Sequence, residues 1–319
     1  MIMSNISFAN LEEKIKLLKK QRKAVILVHN YQLPEVQDVA DFRGDSLELS
    51  RIAAKTDAKV IVFCGVHFMA ETASILCPDK QVVMPDIHSG CPMAGMMTAL
   101  QLKKLKKDHP DAIAVGYVNT SAEVKAELDV CCTSTNAVSV VNAIMRDYEN
   151  GGRRFGKKKE IIFVPDKYLA DYVSRRTGKK LIAWNGFCPT HVKMLPEDVK
   201  REKRFHPKAK VMVHPECLPS VVDMADAVLS TSQMVKFAKE SDAREFIVGT
   251  EVGLIYRLKQ DNPGKEFYPL SERAVCPNMK RTTQEKILWA LEELKTEVRV
   301  SEGIRRKAKK AIDVMLSII

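Results

Sequence analysis

Residues 24–46, AVILVHNYQLPEVQDVADFRGDS, hold the reading that decides the fold. A β-branched run ends in the polar loop VHNY (28–31), and a spacer separates His29 of that loop from a hydroxyl residue, Ser46. The same layout returns twice. GYVN (116–119) and VHPE (213–216) also close β-branched runs, and the His29-to-Ser46 spacing recurs unchanged from Tyr117 to Ser134 and from His214 to Thr231. Asp41, Asp129 and Asp226 stand at one common distance beyond the same starting positions. A further strand ends at Phe63 and at Val248, equally far from His29 and His214. In the middle copy it ends later, at Val164, and the basic Gly-rich stretch NGGRRFGKKK accounts for the extra length. A Cys-Pro pair then follows in each copy. Cys91 and Cys276 lie equally far from their starting His, and Cys188 lies slightly nearer its strand end than Cys91 does. Matched offsets in three copies make an internal repeat.

Around these landmarks, strand-like runs (AVILV 24–28, KVIVF 59–63, QVVM 81–84, AIAVG 112–116, EIIFV 160–164, KLIAW 180–184, AKVMV 209–213, EFIVG 245–249) alternate with helical patterns such as LELSRIAAK, FMAETASIL, AVSVVNAIM and LADYVSRRT. Continuous apolar strands separated by amphipathic helices predict parallel sheets covered on both faces, so the fold class is α/β. The repeat divides the chain at 1–108, 109–207 and 208–319. Loops of parallel sheets gather at carboxyl edges, where ligands bind. A pseudo-threefold arrangement would point the three edges at one centre and bring Cys91, Cys188 and Cys276 together. No G-x-G-x-x-G or G-x-x-x-x-G-K-[ST] occurs, which removes dinucleotide and P-loop readings.

Composition narrows the class further. The 319 residues carry 51 Lys+Arg against 40 Asp+Glu, a net charge of +11, with 45% hydrophobic and 29% charged residues. That excludes a disordered or collagenous chain. No run reaches the roughly eighteen apolar residues of a membrane span. The N-terminal MIMSNISFANLEEKIKLLKK has no apolar core of a secretory signal. A soluble, cytoplasmic protein is expected. The basic excess is dispersed over KKLKKDH, RRFGKKK, REKR and RRKAKK without interleaved aromatics, so it reads as solvated surface, with no nucleic-acid or membrane partner. It suits attraction of small anionic substrates.

Eight cysteines in such a chain do not form a disulfide framework, and no C-x-x-C is present. Cys64, Cys77, Cys131, Cys132 and Cys217 fall outside the repeat and read as core thiols. For Cys91, Cys188 and Cys276 the readings are buried thiols, zinc, or an iron–sulfur cluster. The cluster fits three far-spaced, convergent thiolates best. With three ligands, a [4Fe–4S] cluster keeps one iron open, able to act as a Lewis acid on a substrate oxygen.

HNYQLPEVQDVADFRGDSLELS, GVHFMAETA, MPDIHSGCPMA, GYVNTSAEVKAELDVCCTS, WNGFCPTHVK, HPEC, STSQM and CPNMK, taken in order from about Ala24 to Lys280, resemble the quinolinate synthase family. The resemblance implies three Rossmann-like αβα sandwich domains around a [4Fe–4S] cluster. It implies condensation of iminoaspartate with dihydroxyacetone phosphate to quinolinate, with loss of phosphate and water, in de novo NAD biosynthesis. It also implies functional coupling to the aspartate oxidase or dehydrogenase that makes iminoaspartate. Its cluster ligands fall on Cys91, Cys188 and Cys276. Its strand-end residues fall on His29, Tyr31, Tyr117, Asn119, His214 and Glu216, its hydroxyls on Ser46, Ser134, Ser230 and Thr231, and a further histidine on His191. A redox switch that some relatives carry at the third ligand is not expected at Cys276-Pro-Asn-Met.

The substrates are anions, which strand-end hydroxyls near helix N-termini bind well. Ser46, Ser134, Ser230, Thr231 and Asn119 therefore read as substrate holders. Proton transfers need groups able to titrate: His29, Tyr31, Tyr117, His214 and Glu216, with Glu216 as general base and Tyr31 as proton donor near the open iron. His67, His88, His109 and His206 read as ordinary structural histidines. Three rivals share parts of this pattern: the reductase that forms isoprenoid diphosphates, the diphthamide-synthesis enzymes, and a non-catalytic iron–sulfur sensor or nucleic-acid binder. The first shares layout only, and the last leaves the His, Tyr and Glu set without a purpose.

Overall fold

The computed structural model describes residues 8–156 and 158–318. Residues 1–7 of the N-terminal stretch, Lys157 of the basic insert and Ile319 lie outside the described residues. Three four-stranded sheets are present, every pairing parallel. β1 (Ala24–His29), β2 (Phe42–Gly44), β3 (Val60–Cys64) and β4 (Gln81–Val83) run in the order β2-β1-β3-β4. β5 (Ala112–Tyr117), β6 (Val130–Cys132), β7 (Glu160–Val164) and β8 (Ile182–Ala183) repeat it as β6-β5-β7-β8. β9 (Lys210–Val213), β10 (Ala227–Val228), β11 (Glu245–Gly249) and β12 (Glu266–Pro269) do so again as β10-β9-β11-β12. With helices flanking each sheet, the architecture is that of three Rossmann-like α/β units, and the expected fold class holds.

The recurring aspartates are what tie each second strand to its central strand. The Asp41 carboxylate accepts the Ile26 N–H at 2.8 Å, Asp129 accepts that of Ala114 at 2.8 Å, and Asp226 accepts that of Val211 at 2.8 Å. Each aspartate also donates its own N–H to the same residue's carbonyl, at 3.0, 3.0 and 2.8 Å. A lysine attends each one: Lys19, Lys106 and Lys210. The second strands are only two or three residues long, too short to be held by ladder bonds alone. A charge-assisted bond of about 1.5–3 kcal/mol fixes their register.

Two compact units result, the first running up to Gly90 and including Pro277–Val300, the second covering Cys91–Cys276 and Ser301 onward. In the first, Ile26, Val28 and Val62 of the sheet form one core with Leu11, Ile15, Ile287 and Leu291 of the helices Phe8–Arg22 and Gln284–Glu293. In the second, the helix Glu302–Ser317 lies on β6 and on the helix Ala122–Lys125. It buries Ala308, Ala311, Ile312 and Met315, the i, i+3, i+4, i+7 stripe of an amphipathic helix. The two C-terminal helices, unplaced by the sequence, thus serve different units. The basic runs KKLKKDH, REKR and RRKAKK fall mainly on the helices Ala99–Asp108, Pro196–Phe205 and Glu302–Ser317. Among the described residues no helix is long and apolar enough to cross a membrane.

Candidate active site

In the second unit the carboxyl ends of β5 and β9 deliver Tyr117, His214 and Glu216 to one buried network. The Tyr117 hydroxyl donates to Glu216 Oε1 at 2.6 Å. His191 Nδ1 stands 2.9 Å from Glu216 Oε2, and its Nε2 is 2.9 Å from the Thr250 hydroxyl. His214 Nε2 lies 3.2 Å from the Ser134 hydroxyl, and the His191 and His214 rings stack with centroids 4.6 Å apart. The Glu216 N–H donates to His214 Nδ1 at 3.3 Å. The first unit repeats that local contact, with the Tyr31 N–H donating to His29 Nδ1 at 3.2 Å and the two rings edge to face at 4.6 Å. Where such an imidazole is neutral, the N–H accepted on Nδ1 leaves its proton on Nε2.

Glu216 and Asp166 form a buried pair of carboxyls whose affinities for protons are driven apart. Burial works against ionisation of Glu216, but His214, His191 and the Tyr117 hydroxyl outweigh it and hold the group down to about 2. Burial and then the Glu216 charge push Asp166 well above the carboxylate range, against N–H bonds from Leu169, Tyr168 and Cys188. Two carboxyls that cannot both ionise comfortably take opposite states.

Of the eight cysteines, Cys91, Cys188 and Cys276 are the three that keep some exposed surface; the other five are buried. The repeat had singled out the same three. Their sulfurs nonetheless lie in the protein's field. Loss of hydration, with the charges of Glu216 and Cys276, pushes Cys91 up to about 12. Cys188 is raised well above its ordinary value by burial, then Glu216, with Cys91 adding to it. Cys188 Sγ also lies within 4.8 Å of ligand atoms of His191 and Glu216. Thiols raised in this way become thiolates only if a cation is supplied, and soft sulfur donors suit iron or zinc. The donor set fits an iron–sulfur cluster.

The remaining candidates sort by unit. Asn119 Oδ1 is buried with no hydrogen-bond partner among the described residues, an acceptor left for a ligand. Ser230 caps the helix Thr231–Glu240 and takes a hydrogen bond from the Thr135 hydroxyl at 2.9 Å; Thr231 is that helix's buried first residue. In the first unit Ser46 opens the helix Ser46–Lys55, whose cap is Asp45. His109 faces Glu160 at 3.4 Å and His206 stacks on Tyr268, roles that need no ligand. Sequence reasoning missed Thr135, Thr250, Asp166 and Glu251. A lone Thr gives no signal, but the two acids sit at equivalent places in their repeats.

Repeated parallel α/β units, with the Cys188 sulfur beside the buried Glu216 carboxylate and the His191 imidazole, define an α/β protein with a Cys, His and Glu group at its sheet edges. The profile of the family described as "Quinolinate synthetase A protein" matches residues 13–317. Relatives named quinolinate synthase include one from Dehalococcoides mccartyi, 54% identical over 97% of this chain and 98% of its own length. Another from Thermodesulfovibrio yellowstonii is 55% identical over 96% and 98%, and "Quinolinate synthase 1" from Methanosarcina acetivorans is 53% identical over 97% and 98%. The chain belongs to the quinolinate synthetase A family.

Proposed function

We propose that this chain is a quinolinate synthase that condenses iminoaspartate with dihydroxyacetone phosphate, releasing phosphate and water, for NAD biosynthesis. A [4Fe–4S] cluster on Cys91, Cys188 and Cys276 completes the site. The observation that carries the reading is the buried Glu216 network with Tyr117 and His191, beside the Cys188 sulfur, in a family whose curated members bear that enzyme's name. When bound, the cluster offers an open iron as a Lewis acid for a substrate oxygen.

The chain's own residues supply the rest. Glu216, held ionised, is a weak base alone; its basicity is expressed through the groups it holds, Tyr117 Oη at 2.6 Å and His191 Nδ1 at 2.9 Å. His214 presents Nε2 toward Ser134, so a proton can move between imidazole and hydroxyl. Asn119, Ser134, Ser230 and Thr231 hold the anionic groups of substrate, with Ser46, His29 and Tyr31 acting from the first repeat, Tyr31 as proton donor. Burial of Glu216 and both imidazoles excludes bulk water from the proton transfers. The repeat supports three domains, 1–108, 109–207 and 208–319.

A second reading, one cation on Cys188, His191 and Glu216, draws on their mutual proximity. Anaerobic purification with iron and sulfide analysis separates the two. Near-equal iron and sulfide, lost in Cys91→Ser, supports the cluster; metal without sulfide, retained in Cys91→Ser, supports the single ion. Glu216→Gln is expected to keep the cluster absorbance and lose quinolinate formation by more than about a hundredfold, the scale of a removed acid–base group. Retained turnover overturns the role of Glu216.

A further inference from the structure

Two buried acids outside the reacting network stand at the same place in their repeats. β7 pairs Val164 with Gly116, and β11 pairs Gly249 with Val213. Two positions beyond these paired residues come Asp166 and Glu251, both with no exposed surface. Glu251 Oε1 accepts the backbone N–H of Cys276 at 3.1 Å, and its Oε2 accepts that of Gly253 at 2.8 Å. Asp166 Oδ1 accepts the N–H groups of Tyr168 and Leu169 at 2.9 and 2.7 Å. Asp166 Oδ2 is buried and makes no hydrogen bond among the described residues. The Cys188 loop is brought there by the bridge of Asp166 to Gly186 and by the Lys167 N–H donating to Gly186 at 2.9 Å. Gly186 permits that approach, since a Cβ would lie 2.4 Å from the Pro165 carbonyl oxygen. In the first repeat β1 pairs Val28 with Cys64, which puts Val66 at the corresponding place.

An acid buried in a hydrophobic interior is costly unless its oxygens are occupied. At Glu251 the occupants include the backbone N–H of Cys276, far downstream of its acid in the same repeat. We propose that Asp166 and Glu251 are positioning residues for the cluster thiolates: Glu251 takes up the N–H of Cys276, and Asp166 anchors the loop that leads to Cys188 through its bridge to Gly186. This fixes the loop that aims each sulfur and keeps the Cys276 N–H from bonding a cluster sulfur. The inference rests on the cluster reading above. Cluster potentials respond to nearby charge and to hydrogen bonds on sulfur. Freeing a cysteine N–H to bond a cluster sulfur stabilises the reduced cluster, so it raises the potential.

The test uses the anaerobically purified, cluster-loaded protein, with Glu251→Gln and Asp166→Asn. Gln at 251 can offer an oxygen to only one of the two N–H groups, and its amide opposes the other. Asn at 166 still caps the helix Lys167–Thr177, so this variant keeps its fold. Asp129→Asn is the control, a carboxylate on a backbone N–H in the same unit that serves a strand and no cysteine. Iron, sulfide, the electron paramagnetic resonance of the reduced cluster and a redox titration are the readouts. Expected is a tenfold shift of the one-electron equilibrium toward the reduced cluster for Glu251→Gln, about 59 mV. An altered resonance in both site variants is expected too, with the control at wild-type values. Wild-type resonance and potential in both variants overturn the assignment while leaving the cluster reading intact, as does a control that moves equally. A wild-type protein that takes up no iron and sulfide overturns the cluster reading and this inference with it.

Discussion

Replacing Asp129 tests whether the repeated aspartates hold the sheets in register. Its carboxylate accepts the Ala114 N–H at 2.8 Å and lies 3.4 Å from Lys106 Nζ. Ala114 has no exposed surface, so water cannot replace the lost acceptor. Alanine at 129 removes a charge-assisted hydrogen bond worth about 1.5–3 kcal/mol and a part-exposed ion pair worth about 0–1 kcal/mol. The sum is about 2–4 kcal/mol. Asparagine keeps an oxygen for the N–H and forfeits chiefly the ion pair, at most about 1 kcal/mol. The difference between the variants is then about 1.5–3 kcal/mol, or about 10- to 150-fold in the opening equilibrium of β5 against β6. Amide hydrogen exchange at Ala114 reads that opening locally, which suits a chain of two compact units better than a global melt. Asp129→Ala should speed exchange by that factor over Asp129→Asn. Equal exchange in the two variants, or unchanged protection in Asp129→Ala, would refute the reasoning. The same ordering is expected for Asp41 read at Ile26 and Asp226 read at Val211.

Gly116 is a second point where one atom decides. A Cβ there would meet Leu128 Cδ1 at 2.0 Å, so Gly116→Ala should lower stability by about 1–3 kcal/mol through overpacking. Adding Leu128→Ala should recover most of the register-dependent loss, measured by thermal melts of both variants; no recovery would show that the strain lies elsewhere. Asp86 sets an acid limit for the first unit. Burial favours its neutral form, but hydrogen bonds from Lys286, the His88 N–H and Arg281 outweigh it and lower its pKa. A lowered folded value means stability present above the unfolded pKa of about 3.9 and lost as pH falls through the folded value. The margin of wild type over Asp86→Asn in urea unfolding should thus be steady from neutrality to about pH 5 and shrink below about pH 4. A margin that grows on acidification contradicts the assignment.

Counting along the chain was enough to find three α/β units, because strand ends and loop hydroxyls recur at fixed spacing. It did not disclose why an aspartate recurs between them. That side chain acts on a backbone N–H well upstream in the chain, a partner that exists only once β1 and β2, or their counterparts, lie side by side. The second strands and β12 were the hardest to see: β2, β6 and β10 are two or three residues long, too short to carry periodicity, and β12, Glu266–Pro269, includes a proline. Asp166 and Glu251 were hidden by a slip of one position. Aligning the apolar ends Val164 and Val248 leaves the acids out of step, whereas the pairing sets Val164 against Gly249 and brings them together. The exposure that separates Cys91, Cys188 and Cys276 from the buried five is a property of the folded chain alone.

The repeats also show how a site arises from nearly equal parts by divergence at one position. His29, Tyr117 and His214 occupy the same place, and the second repeat alone carries a phenol there. Within the second unit the exchange is reciprocal. Tyr117, of the second repeat, bonds Glu216 of the third, while His214, of the third, reaches back to Ser134 of the second, and Thr135 bonds Ser230 beside them. An imidazole at 117 is shorter than a phenol along the side-chain axis and would leave the buried Glu216 Oε1 without its donor. It would also add a group able to become cationic where the structure has a neutral hydroxyl. Tyrosine supplies reach and a proton without a second charge, and His191, delivered from the loop after Cys188, provides the opposing contact on Oε2. Glu216 of the third repeat is thereby held on both oxygens by side chains of the second. A carboxylate so held stays ionised in a buried site and can direct protons through its two neighbours rather than by its own titration.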